Sequence, residues 1–161
     1  KVRDTSRVVT LTQKYIQRDV ITFAGPDMGG LLLYDGDGKR VVDLGLLCNK
    51  EFAKRGYVNF DVYLFQRERP EIIEAHAQWL APFLSSEIFQ TMYLPVKVLT
   101  NEEETFLFIR KDIVSEIINR DEVKGIVKRG EFTESEPLQS MLLKFEEYIL
   151  LDLRDFQAVA R

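Results

Sequence analysis

The chain is poor in the residues that build most catalytic and metal sites. Its 161 residues include one cysteine, Cys48, and one histidine, His76. A single cysteine excludes an internal disulfide framework. A lone histidine with Glu71 and Glu74 nearby falls short of the several His, Cys or carboxylate ligands that a metal site collects. Apolar runs are short. None approaches the ~20 residues that a membrane-spanning helix needs. Basic residues stand singly or in pairs, apart from the mixed Arg67-Glu-Arg69, and the net charge is −4. The concentrated positive field that nucleic acid binding requires is missing. The polar opening, Lys1-Val-Arg-Asp-Thr-Ser-Arg7, does not read as a signal peptide.

What is present is a core. A hydrophobic fraction of 45% in 161 residues suits one ordinary globular domain. Residues 5–18 predict a helix, with Val8, Leu11, Tyr15 and Ile16 near one face and Asp4 or Thr5 as cap. Residues 20–24 are apolar and predict a buried strand stopped by Gly25-Pro26. Residues 31–34 and 41–44 flank Asp35-Gly-Asp-Gly38, whose Asp-Gly pairs accept the positive φ angles of a hairpin turn. Asn49 caps a short helix over 50–55 that Gly56 closes. Residues 57–65 and 70–76 fit either a strand or a helix. A short amphipathic helix ending near Met92 takes Ser85 or Ser86 as cap.

Residues 96–99 and 105–109 form a second hairpin around the acidic tip Thr100-Asn-Glu-Glu-Glu104. Asp112 is expected to cap a helix running to Asn119. The charged stretch 120–131 reads as linker or short helix. Thr133-Glu-Ser-Glu136 has the form of a capping box. After it Leu138, Met141, Leu142, Phe145, Tyr148, Ile149, Leu153 and Phe156 make one stripe at helical spacing. The expected fold is a three-layer α/β domain spanning 1–161, with a mixed sheet of about five strands and a C-terminal amphipathic helix packed across one face.

Candidate site residues are few. Asp35-Gly-Asp-Gly lacks the later oxygen ligands of a calcium loop, since Lys39 and Leu46 occupy those positions, and reads as a turn. Gly25-Pro-Asp-Met-Gly-Gly30 follows a strand but lacks the spacing of a phosphate-binding fingerprint. Within it Asp27 is a candidate, because a carboxylate just past a strand end can reach a ligand crevice in an α/β sheet. Asp43 interrupts an apolar strand and must find a partner or a ligand. His76 is read first as a structural histidine and Cys48 as a buried thiol. Tyr57, Phe60, Tyr63, Phe65, Trp79, Phe83, Phe89 and Tyr93 crowd one region, as core or as sugar platforms.

One family pattern is similar. The quoted residues are Asp27 with Gly29-Gly30, then Tyr34, then Val42-Asp43-Leu44-Gly45-Leu46 and Ala53. Pro70-Glu71-Ile72-Ile73, Tyr93-x-Pro95-Val96 and Phe108-x-Arg110 complete it. Together they resemble the soluble C-terminal domain of bacterial polytopic glycosyltransferases of the lipid-linked-sugar class, related to arabinosyl- and mannosyltransferases of the cell envelope. The resemblance covers roughly the central hundred residues. In that family catalysis belongs to carboxylates in loops of the membrane region, so no catalytic residue carries over.

The resemblance implies an extracytoplasmic, periplasmic or cell-surface domain severed from a larger membrane protein. It would contact the membrane only through flanking segments. It would assist glycan acceptor binding, or dock on the membrane catalytic region, with no cofactor and no metal. Asp27, Asp43, Tyr34 and His76 are its candidate ligand-binding residues. Two other classes remain open: a protein-interaction domain using the C-terminal helix, and a small-molecule hydrolase or nucleotide binder using Asp27, Asp43 and His76.

Overall fold

The computed structural model describes residues 2–16, 18–26, 39–45, 49–74, 83–100, 105–133, 140 and 142–155. Helix α1, Val2–Tyr15, precedes strands β1, Ile21–Gly25, and β2, Lys39–Asp43. Helix α2, Lys50–Arg55, and a π-helix, Val62–Glu68, lead to β3, Ile72–Glu74. Helix α3, Glu87–Met92, enters β4, Tyr93–Leu99, which is followed by β5, Thr105–Arg110, and α4, Lys111–Ile118. A single 3-10 turn, Asp121–Val123, precedes β6, Val127–Gly130, and β7, Tyr148–Asp152. No helix among the described residues is long and apolar enough to cross a membrane.

The seven strands form one mixed sheet in the order β2-β1-β3-β5-β4-β7-β6. β1 runs parallel to both β2 and β3, and β4 runs parallel to β7. β5 and β6 run the other way. Side chains alternate across the pleat, and each face buries its own core. On one face Val8 and Leu11 of α1 and Ile113 and Ile117 of α4 cover Phe23, Ile72, Leu107 and Ile149. On the other, Phe52 of α2, Leu64 and Phe65 of the π-helix and Phe89 of α3 cover Val42, Ile73, Tyr93 and Phe108. The architecture is therefore helix, sheet, helix, as expected, with seven strands rather than about five.

Several local expectations hold. β4 and β5 form the second hairpin, with Tyr93 opposite Arg110 and Pro95 opposite Phe108. The Asn49 side chain accepts from the amides of Glu51 and Phe52 at 3.0 and 3.2 Å, and Gly56 closes α2 at φ 60°. The Ser86 hydroxyl accepts the Phe89 amide at the start of α3. Of the two undecided segments, 57–65 leads into the π-helix and 70–76 contributes β3.

Others are corrected. The C-terminal helix is corrected where it was to run through 148–152: Tyr148–Asp152 is a strand lying between β4 and β6, while 134–139, 141 and 156–161 lie outside the described residues. An apolar run as short as Tyr148-Ile-Leu-Leu151 fits either period, and the open edge of β4 decides in favour of pairing. Ile149 and Leu151 alternate into the α1/α4 face, whereas Leu142 and Phe145 pack on the opposite face. The stretch 120–131 is no linker, because Val127–Gly130 pairs antiparallel with β7. Asp4 and Thr5 lie inside α1 rather than capping it. Asp112 lies in the first turn of α4, whose cap position is Arg110. The first hairpin's leading arm, 31–34, lies outside the described residues, and β2 pairs with β1 in parallel.

Candidate functional site

The strand order creates one place where a ligand crevice is expected. β1 is flanked by β2 on one side and β3 on the other, all parallel, so the strands that follow β1 and β2 in the chain lie on opposite sides of β1. In open α/β sheets that divergence leaves a crevice outside the carboxyl ends of the strands. Gly25 ends β1 and pairs with Asp43, which ends β2. The β1–β3 register, Ala24 with Ile73, continued by one residue, brings Glu74 beside Gly25. Asp43 and Glu74 thus flank a glycine in one row, about 10 Å apart across two strand spacings. They also share a face, each being two residues beyond a side chain packed on the α1/α4 side, Val41 and Ile72.

The surroundings of Asp43 are built to hold it. Its Oδ1 accepts the Gly45 amide at 2.9 Å. A Cβ at position 45 would lie 3.1 Å from that same oxygen, so glycine lets the chain fold back onto the carboxylate. The Tyr57 hydroxyl donates to the Leu44 carbonyl at 2.9 Å, tying the segment after α2 to the end of β2. Desolvation, followed by the Asp43 charge, raises the Tyr57 pKa above its ordinary value. Tyr57 therefore stays a neutral donor beside the carboxylate across the physiological range. Among the described residues no group of three or more His, Cys, Asp or Glu is placed to hold a metal.

Of the four candidate site residues, only Asp43 lies among the described residues. Asp27, Tyr34 and His76 lie outside them, as do Cys48 and Trp79. In sequence, Asp27 follows the end of β1 by two residues and His76 follows the end of β3 by two. Three of the four candidates therefore belong to the carboxyl ends of three adjacent parallel strands, or to the residues immediately after them.

The aromatic cluster separates into core and rim. Phe65, Phe89 and Tyr93 are fully buried, and Phe60 and Phe83 stack at 3.9 Å within the same core. Tyr93 donates from its hydroxyl to the Pro70 carbonyl at 2.7 Å, and burial raises its pKa. Among the described residues of the cluster, Tyr57 and the half-buried Tyr63 reach the surface, with the Arg67 guanidinium 5.6 Å from the centroid of the Tyr63 ring.

No family model, curated protein or solved structure matches this chain.

The strongest electrostatic feature was not legible in the sequence as a site. Glu71, buried at the start of β3, accepts the Thr22 amide at 2.7 Å and Arg18 Nη1 at 2.8 Å. Buried Arg110 reaches the same carboxylate at 3.4 Å, donates to the Arg69 carbonyl, and pairs with Asp112 at 2.8 Å. Desolvation pushes Asp112 upward, but the hydrogen bond and charge of Arg110, the Ile113 amide and Arg18 together hold it below the ordinary carboxylate range. The available signal was a carboxylate just before Ile72-Ile73 and a guanidinium closing Phe106–Arg110, charges at the ends of two apolar strands. Every oxygen of Glu71 has a donor, so this is an internal brace between β1, β3 and β5 and not a ligand site.

Proposed function

We propose that the chain is a non-catalytic domain of a bacterial cell-envelope glycosyltransferase, extracytoplasmic, that helps to bind a glycan acceptor or docks on the catalytic membrane region. The observation that carries this reading is the convergence of the residues on which the resemblance rests. Pro70 accepts from Tyr93, Glu71 pairs with Arg110, and Ile72 and Ile73 lie opposite Ile109 and Phe108. These positions, separate in sequence, form one bonded unit in the middle of the sheet. Such dependence is what a family scaffold requires of its short motifs. Of the other motifs, Val42-Asp43-Leu44-Gly45 delivers Asp43 to the carboxyl edge, and Asp27, Gly29-Gly30 and Tyr34 lie outside the described residues.

Acceptor binding would occur at that edge. A carboxylate accepts two hydroxyls of a sugar ring, and charge-assisted hydrogen bonds of this kind carry both affinity and orientation. Asp43, paired across the sheet with Gly25 and with Tyr57 adjacent, is the residue assigned to that contact. The experiment is a calorimetric titration of the chain with arabino- and manno-oligosaccharides, alongside Asp43→Asn, which keeps an oxygen acceptor for the Gly45 amide. Saturable binding weakened about tenfold in the variant is expected from loss of a charged acceptor. The reading is refuted by no saccharide binding together with unchanged transferase activity of the parent enzyme after Asp27→Asn and Asp43→Asn.

The same strand ends also suit a hydrolase or nucleotide binder using Asp27, Asp43 and His76, because the crevice position is indifferent to ligand class. Full activity of His76→Ala on any substrate found would remove the histidine from that reading. The protein-interaction reading keeps less support, since residues 148–152 of the segment that was to present an apolar helix form an internal strand.

A further inference from the structure

Five large apolar side chains are exposed among the described residues, and three of them, Tyr57, Val58 and Val62, fall within six positions. Val58 is 71% exposed, Val62 47% and Tyr57 44%. The backbone explains why they stand out. Gly56 at φ 60° ends α2 and Asn59 at φ 52° starts the next turn, so Tyr57 and Val58 are carried on a tight knuckle between two residues of positive φ. The knuckle is braced rather than loose. Tyr57 is tied to the Leu44 carbonyl, and its ring meets Phe52 and Phe60, each at 6.0 Å between centroids. Asn59 also carries the carbonyl that accepts the Tyr63 amide at 3.1 Å.

Charge surrounds this apolar tip. Residues 50–69 contain five basic and three acidic side chains, a net charge of +2 in a chain whose net charge is −4. Two of the acids are already engaged, Glu51 by Arg55 at 3.6 Å and Glu68 by Arg40. Lys50, Lys54, Arg55, Arg67 and Arg69 are all exposed. Beside the knuckle an open cleft of about 260 Å³ is lined by Arg55, Arg67, Tyr63, Val58 and Val62. Scattered apolar side chains on a surface need no explanation. A clustered aliphatic tip inside a basic rim has the two properties of a surface that enters an anionic bilayer interface, apolar area to bury and cations to meet lipid phosphates.

We propose that the Gly56–Asn59 knuckle, with Val58 and Val62 at its tip and Lys54, Arg55 and Arg67 around it, docks this domain on an anionic lipid surface. Contact with the bilayer would then be made by the described domain itself, not only through flanking segments. Because Tyr57 joins the knuckle to the end of β2, docking would hold the carboxyl edge of the sheet near the lipid headgroups. The inference does not depend on saccharide binding and is tested separately from it.

The test is flotation of the 161-residue chain with vesicles of equal parts phosphatidylglycerol and phosphatidylcholine, against pure phosphatidylcholine vesicles. Binding to the anionic vesicles alone is expected, declining as salt is raised through screening. Removing each basic charge of the rim, in Lys54→Gln and Arg55→Gln, should weaken binding about fivefold. Val58→Asp should reduce it by more than the loss of one charge does. All three positions are solvent-exposed, and an unchanged thermal midpoint shows that the variants fold. Three outcomes overturn the proposal: no binding to anionic vesicles, equal binding to neutral ones, or binding unaffected by Val58→Asp. A concentration-dependent dimer of the chain that Val58→Asp abolishes, without lipid binding, would assign the surface to a second copy instead.

Discussion

Replacing Arg110 by leucine should reveal how much of the fold rests on the buried brace. The guanidinium is almost fully buried and meets the Glu71 carboxylate, the Arg69 carbonyl and Asp112. Removing one partner of a buried pair costs about 3–5 kcal/mol, because the other charge stays desolvated without its counterion. Glu71 would not be wholly abandoned, since Arg18 and the Thr22 amide remain at 2.8 and 2.7 Å. That places the expected loss at the lower end, about 3 kcal/mol. At about 2–4 °C per kcal/mol for a domain of this size, the thermal midpoint should fall by about 6–12 °C. The assay is urea and thermal unfolding followed by far-ultraviolet circular dichroism, with Arg110→Lys as the variant that keeps charge without the planar fork. A loss below about 1 kcal/mol, the scale of an exposed ion pair, would refute the structural role given to this cluster.

The pH dependence supplies an independent reading of the same contact. The folded-state pKa of Asp112 is lowered from its ordinary value of 3.8. A lowered carboxylate contributes stability that is fully present above the unfolded value and disappears as the pH falls through the folded one. The wild-type chain should therefore lose this contribution below about pH 4. In Arg110→Leu the main cause of the lowering is gone, and the acid limb of stability against pH should be shallower.

The strand assignment of residues 148–152 makes its own prediction. Leu151 is 2% exposed, although it falls outside the apolar stripe that a helix would present. Leu151→Ala should cost about 3 kcal/mol of stability in urea unfolding, and a cost under about 1 kcal/mol would favour a helix. Asn49→Ala removes the acceptor of two amides at the start of α2 and should cost about 1 kcal/mol, with Asn49→Asp close to wild type.

Legibility followed the range of the interactions concerned. The Asn49 cap, the Gly56 stop, the Ser86 cap and the β4/β5 hairpin each depend on residues within a few positions of one another, and each was readable. β6 and β7 were missed because what makes them strands lies far away: β7 pairs with β4, some fifty positions earlier in the chain by the register of Val96 with Ile149. The candidate site divides in the same way. Asp43 was readable as a charge in an apolar strand. Its place beside Gly25 and Glu74 was not, because strand order is set by which edges find each other.

Residue order alone carried an α/β domain with a substantial core, the Asn49 and Ser86 caps, the Gly56 stop and the anomaly of Asp43 within Val41-Val-Asp-Leu44. These follow from side-chain period and short-range hydrogen bonding. It took the assembled fold to bring Glu71 and Arg110 together, to make five of the crowded aromatics core while Tyr57 and Tyr63 face outward, and to set an apolar knuckle in a basic rim. Those outcomes depend on burial, and burial is a property of the assembled sheet and its two helical layers, which no local stretch of the chain contains.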